Sequence, residues 1–299
     1  MKADAGIYRH ASEVDFQVSD LPGVRLPDAA LFVRPAFFQV DYVINPHMEG
    51  RVGSVDTEAA GRQWHGVVGA YETLGFRPHV IEGRRGLPDM VFCSNQTLPA
   101  MDSDGTRHVV LSNMATDERR HEVGHFEHFF GDLGYKIHPA PDTPFEGTGD
   151  AVWHADRRLL WIGTGYRSDS SSVDAVSKML NVKAVELRLI DANFYHLDTC
   201  LSILDAETAL WVPSAFDEIG RQLIRRLIPN LIAVPIEEAN SSLACNAHCP
   251  DGHHVIIQAG CDETTRLVRE RGFEVIECDT GEFLKAGGSV YCMKQMCWA

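Results

Sequence analysis

The chain has no apolar run near the roughly 20 residues that a membrane-crossing helix needs, which argues against a membrane-embedded protein. It has no CxxC pair; its eight cysteines lie scattered at 93, 200, 245, 249, 261, 278, 292 and 297. The opening MKADAGIYRHASEVDF lacks the apolar stretch of a signal peptide. A soluble, cytoplasmic protein with reduced thiols is therefore expected. Basic residues are scarce: 27 Lys and Arg face 42 Asp and Glu, for a net charge of −15. Phosphate contacts need Lys and Arg, so nucleic acid is a poor partner. A small cation, which a negative field attracts, is a better one. Disorder is excluded by a composition that is 44% hydrophobic and 23% charged.

What the chain does contain is a weak internal repeat. A helical stretch ends in a turn, then come an apolar strand, a polar tip and a second strand. The copies begin at AYETLGFRPHVIEG, HFEHFFGDLGYKIHPA, DAVSKMLNVKAVELR, RQLIRRLIPNLIAVP and ETTRLVRERGFEVIEC. Gly75, Gly134 and Gly272 stand where a helix C-cap wants a left-handed residue, and Asn or Pro serves in the other copies. Such alternation alone predicts only an α/β chain. Each copy, however, puts capable polar residues just after its first apolar strand: Asn95, Glu146 with Asp150, His196 with Asp198, Asn246, and Cys292. Units of this size cannot bury their apolar faces alone, and closure removes sheet edges. The expectation is a five-fold pseudosymmetric α/β propeller, with repeated ββαβ-type units around a central site. We expect one catalytic domain over 1–299, with 1–30 as an N-terminal extension and 102–107 and 250–254 as hairpin loops.

Taken singly, the candidate residues are ordinary. Cys292, in GGSVYCMK, reads most simply as a buried strand cysteine, or as a thiolate nucleophile if its surroundings allow. His196 and Asp198, two apart in YHLDT, would share a strand face, where a carboxylate fixes an imidazole tautomer. Glu146 and Asp150 in FEGTGD read as an exposed acidic turn suited to a guanidinium. Two metal-like patterns are decoys. HEVGHFEH (His121, Glu122, His125, His128) has the HExxH spacing but lacks the longer zincin pattern, and it fills a helix slot of the repeat. CNAHCPDGHH matches no common zinc knuckle. No metal and no organic cofactor are expected.

Together the tips resemble the guanidino-group-modifying enzymes of the pentein fold, in the compact hydrolase branch of dimethylarginine dimethylaminohydrolase and arginine dihydrolase. Five motifs carry the likeness in order from about residue 30 onward: VDYVINP, PDMVFCSN, FEGTGD, YHLDT and GGSVYC. The resemblance implies that Cys292 is the nucleophile and His196 the general acid and base. It implies that Glu146 holds the guanidinium and helps orient His196. Asn45, Asn95, Asp150 and Asp198 match substrate-facing positions, and Arg167 in GYRSD matches a carboxylate-binding arginine. Two departures stand out. Many members carry Asp where this chain has Asn95; Asn is the dihydrolase pattern, suited to a second hydrolysis on a neutral ureido intermediate. Relatives often carry Arg near Asn113, for which Arg119 or Arg120 is the available substitute. The implied partner is a small cationic guanidino compound, attacked through a covalent thiouronium intermediate, and a homodimer is the expected assembly. An amidinotransferase, in which an amine replaces water, and a non-catalytic binder of a cationic metabolite stay open as alternatives.

Overall fold

The computed structural model describes residues 5–299. Five sheets share one order of connection. In four of them an antiparallel pair is followed by a helix and a parallel third strand. Thr97–Met101 and Arg107–Leu111 pair antiparallel, and Lys136–His138 joins parallel after the helix Val123–Asp132. Ala151–His154, Arg157–Thr164 and Lys183–Arg188 repeat this around the helix Ser170–Leu180. Leu201–Ile203, Thr208–Trp211 and Asn230–Ala233 repeat it around Glu218–Leu227. The sheet at the chain ends takes Gln295–Cys297 as its first strand, antiparallel to Ala29–Val33, with Arg77–Ile81 parallel beyond the helix Thr57–Thr73. In the remaining sheet His254–Gln258 and Glu274–Cys278 run parallel around Asp262–Glu270, and the first strand is reduced to a bridge from His248 to Ile256.

Local chemistry explains these elements. The inner strand Ala29–Val33 is AALFV and fully buried, as a strand covered on both faces requires. Asp56, Asp169 and Asp217 cap their helices by accepting backbone N–H bonds. Helix Glu218–Leu227 buries Gly220, Leu223, Ile224 and Leu227, the three- and four-residue spacing of one helix face. Gly75, Gly134 and Gly272 have φ of 87°, 78° and 91°, and Asn181 takes 46°, as the C-cap pattern predicted. Residues 6–8 of the N-terminal segment add a strand beside Lys183–Val185. The expected extension over 1–30 ends earlier, because Ala29 and Ala30 already belong to a central strand.

The polar tips lie elsewhere than expected. Each comes immediately before the first strand of its sheet, on a buried turn. Pro88–Val91 and Leu197–Thr199 are 3-10 turns and Gly147–Asp150 is a single helical turn. Their apolar residues face the core, which made them look like strands in the sequence. Among the described residues no helix is long and apolar enough to cross a membrane.

The second helix locks its unit through Phe126 and Phe130, both fully buried. We expect Phe126→Ala to lower unfolding free energy by about 3–5 kcal/mol, read from denaturant titrations.

Candidate active site

The turns converge on a cavity of about 270 Å³, counting the space at its mouth, lined by Asn45, Asn95, Arg119, Arg167, His196 and Cys292, among others. His196 and Cys292 are each only 2% exposed, so these candidate groups are nearly sealed from water.

Glu146 organises one side. The sequence suggested an exposed acidic turn, but Glu146 is fully buried and Asp150 nearly so. The misreading came from the glycines, which here permit close packing rather than exposure. A Cβ on Gly149 would fall 2.1 Å from the Asn95 amide nitrogen. Glu146 Oε2 lies 2.6 Å from His196 Nε2 and 3.3 Å from Arg167 Nη1. Its Oε1 accepts from the Ala115 backbone N–H at 3.0 Å. Burial alone would raise its pKa, but His196 and Arg167 prevail and bring it to about 2. Glu146 is thus a fixed anion against the imidazole.

Asn95 organises the other face of the ring. Arg119 Nη1 donates to its Oδ1 at 2.8 Å, which sets the amide's orientation. The Nδ2 then points to His196 Nδ1 at 3.5 Å. An amide nitrogen only donates, so Nδ1 is the acceptor and Nε2 carries the proton toward Glu146.

Cys292 sits in the turn before Gln295–Cys297, not on a strand. Its thiol donates to Asp198 Oδ2 at 3.1 Å and accepts from Asn246 Nδ2 at 3.2 Å. Burial first, and the Asp198 carboxylate second, push the thiol pKa well above its usual value. Asp198 was expected beside His196 on one strand face. Instead His196 caps a 3-10 turn, Glu146 takes the imidazole, and Asp198 turns to the thiol. The Ser94 hydroxyl and the Asn246 amide neighbour the Asp198 carboxylate and favour its charged form. Burial raises Asp198 to about 7.

The remaining residues divide by contact. Asn45 lines the cavity, held by Tyr195 and the Ala286 carbonyl. Arg167 also lines it, donating to the Ile44 carbonyl and stacking 4.9 Å from the Tyr195 ring centre. Asp150 stands behind the cavity wall: Ser168 Oγ donates to Oδ2 at 2.6 Å and the Leu197 N–H to Oδ1 at 3.1 Å. It clamps the His196 turn. Asn113 lies outside, donating to the Pro141 carbonyl. Of the two arginines weighed against it, Arg120 is half exposed and paired with Asp117, whereas Arg119 is buried in the cavity wall. Asn246 and Tyr195 also belong to the site. The repeat position signalled Asn246; nothing signalled Tyr195 beyond its adjacency to His196.

The metal-like patterns do not assemble. Glu122 points inward to Arg119 at 2.9 Å, while His121 and His128 face solvent. Among the described residues no three His, Cys, Asp or Glu side chains are grouped to hold a metal ion.

Known proteins resemble this chain over most of its length. The family described as N,N dimethylarginine dimethylhydrolase, eukaryotic, matches residues 45–297. The bifunctional arginine dihydrolase/ornithine cyclodeaminase AgrE of Nostoc sp. is 37% identical over 88% of this chain, which spans only 37% of that protein's length. The N(G),N(G)-dimethylarginine dimethylaminohydrolase of Mycobacterium tuberculosis is 33% identical, with 86% of this chain and 82% of that protein covered. Among solved structures, a substrate-bound cysteine-to-serine variant of the N-terminal domain of ArgZ, a cyanobacterial arginine dihydrolase, superposes with a TM-score of 0.84 at 35% identity, over 90% of this chain and 98% of that one. By family match, sequence identity and α/β fold, the chain belongs to the dimethylarginine dimethylhydrolase family.

Proposed function

We propose that the chain is a cysteine hydrolase of the arginine guanidinium, of the arginine dihydrolase type. The observation that carries this reading is a nearly closed cavity lined by the Cys292 thiol, the His196 imidazole and the Asp89 carboxylate, whose Oδ1 has no hydrogen-bond partner. Support comes from the ArgZ N-terminal domain, a variant of which has been solved covalently bound to a reaction intermediate and superposes at a TM-score of 0.83 with 35% identity, over 90% of this chain and 97% of that one. The five sheets of common order, with the chain ends joined in one of them, support a five-fold propeller around this site, in one catalytic domain. Eight unpaired buried cysteines agree with a reducing, cytoplasmic setting.

A guanidinium is resonance-stabilised and resists water, so a covalent route divides one hard step into two easier ones. The substrate cation offsets the buried anions beside the thiol and so lowers the barrier to forming a thiolate there. Cys292 Sγ attacks the central carbon as its proton passes to His196, and Glu146 stabilises the imidazolium. That proton leaves with ammonia, and a thiouronium stays on sulfur. His196 then takes a proton from water, which adds to the carbon and expels Cys292, leaving a ureido group. A second round on that neutral group gives ornithine, ammonia and carbon dioxide. Arginine and two waters thus balance ornithine, two ammonia and one carbon dioxide. Asn95 favours this second round, since its neutral amide faces the imidazole without needing a charged substrate. Arg167 and Arg119 are the cations placed to receive the substrate carboxylate.

A panel of arginine, monomethylarginine and dimethylarginine, with products identified by mass, tests the reading. Ornithine and two ammonia from arginine are expected. Citrulline and dimethylamine from dimethylarginine would instead assign the dimethylaminohydrolase reaction, and transfer of the amidino group to an added amine would assign the amidinotransferase. Saturable binding without turnover would make the chain a binder only. Cys292→Ala is expected to lower turnover by at least about 10³-fold. Asn95→Asp is expected to stop at citrulline, with the second round slowed at least about tenfold. Asp198→Asn removes the anion that raises the thiol pKa. Iodoacetamide labelling of Cys292 in the free protein should then reach its plateau at lower pH than in wild type; an unchanged profile would show that burial alone sets the thiol.

A further inference from the structure

The turn that carries Cys292 has two faces. Cys292 opens to the catalytic cavity, while Tyr291 and Lys294 open to a second cavity behind it. That rear cavity has a volume of about 880 Å³, counting the space at its mouth. Its walls are largely apolar, with Trp153, Trp298, Met296 and Leu26 among them. Although the chain carries a charge of −15, no Asp or Glu lines this cavity among the described residues, whereas Arg25, Arg158 and Lys294 do.

Lys294 is the unusual member. It is 1% exposed, and among the described residues its Nζ makes no hydrogen bond. Its contact is the face of the Tyr291 ring, 3.2 Å from the centre. An ammonium has three N–H donors, and leaving them unmet in a buried place is costly. The nearby polar groups are occupied: Gln295 Oε1 accepts from Thr148, and Gln295 Nε2 donates to the Met296 carbonyl. Arg158 is held by Asp102 and two carbonyls, and Arg25 by Asp28. Burial brings Lys294 down to about 7, with Asp198 acting the other way.

We propose that the rear cavity is a binding site for a small apolar carboxylate, with the carboxylate on Lys294 and the hydrocarbon between Trp153, Trp298 and Met296. Apolar walls around a single free cation suit such an amphipath and not a bare inorganic anion. The site is independent of the guanidino reading, because it uses the other face of the turn.

The test is a tryptophan-fluorescence titration of the full chain with 3-phenylpropanoate and with octanoate, against 3-phenylpropanol and inorganic phosphate. Saturable binding of a carboxylate is expected, with the alcohol at least about tenfold weaker for want of the charge-assisted hydrogen bond. Lys294→Met, close in volume, should weaken binding at least about tenfold, and Leu26→Ala, at the exposed rim and safe for folding, about threefold. In Cys292→Ala, saturating arginine should leave carboxylate binding unchanged. Failure of both carboxylates to bind, equal binding of the alcohol, insensitivity to both rear substitutions, or displacement by arginine would each overturn the proposal.

Discussion

A carboxylate with no access to water keeps its charge only where cations or hydrogen-bond donors stand against it, and Glu146 is such a carboxylate. Its position decides where His196 and Arg167 must be. The Ser168 hydroxyl lies 3.0 Å from the Glu146 backbone nitrogen, accepting its N–H, and donates to Asp150 at 2.6 Å. Asp150 in turn receives the Leu197 N–H and so fixes the turn that presents both His196 and Asp198. One buried anion thus orders four segments far apart in sequence. The close backbone packing this requires explains the glycines at 147 and 149, where added Cβ atoms would meet Thr97 and Asn95 at 2.5 and 2.1 Å.

The charge balance around the thiol follows from the same packing. Asp89, Glu122, Glu146, Asp150 and Asp198 are all buried, with the buried cations Arg119 and Arg167 acting on the first three. Burial raises Asp89, Asp150 and Asp198 from the usual carboxylate range. A bound guanidinium, on the proposed reading, adds a cation to this group of carboxylates. The charge balance also explains why the resting thiol is protonated. In a site that is already anionic, a permanent thiolate would add an uncompensated buried charge. Coupling thiolate formation to the arrival of a cation avoids that penalty and restricts reactivity to the right ligand.

Much of this was legible in the sequence, but unevenly. The helix ends were readable because Gly75, Gly134, Gly272 and Asn181 obey a local backbone rule. The gathering of Cys292, His196 and Glu146 was readable because repeated units place equivalent tips together. What failed was local geometry at the tips. PDMV and LDT have the apolar content of strands, yet tertiary packing folds them into buried 3-10 turns. The acidic turn looked exposed because composition does not reveal which Gly is needed for close approach. Arg119 was legible only as one of two neighbouring candidates, since nothing local separates it from Arg120. Its burial depends on Asn95 and on the Asp89 and Phe92 carbonyls, about 30 residues away in sequence.

Asn95 shows how one atom's identity propagates through such a network. Its oxygen must face Arg119, which only donates, so its nitrogen must face the imidazole. That leaves His196 Nδ1 as an acceptor and puts the proton on Nε2, against Glu146. The ring then has a partner at each nitrogen. An aspartate at this position would present an acceptor to Nδ1 as well. With acceptors at both nitrogens, the favoured state is the doubly protonated imidazolium. An imidazolium can release a proton to a departing ammonia, but it cannot take one from water until it is discharged. The neutral amide instead keeps both roles open at every turnover. This is the property a site needs if it must hydrolyse first a cation and then the neutral ureido group that replaces it.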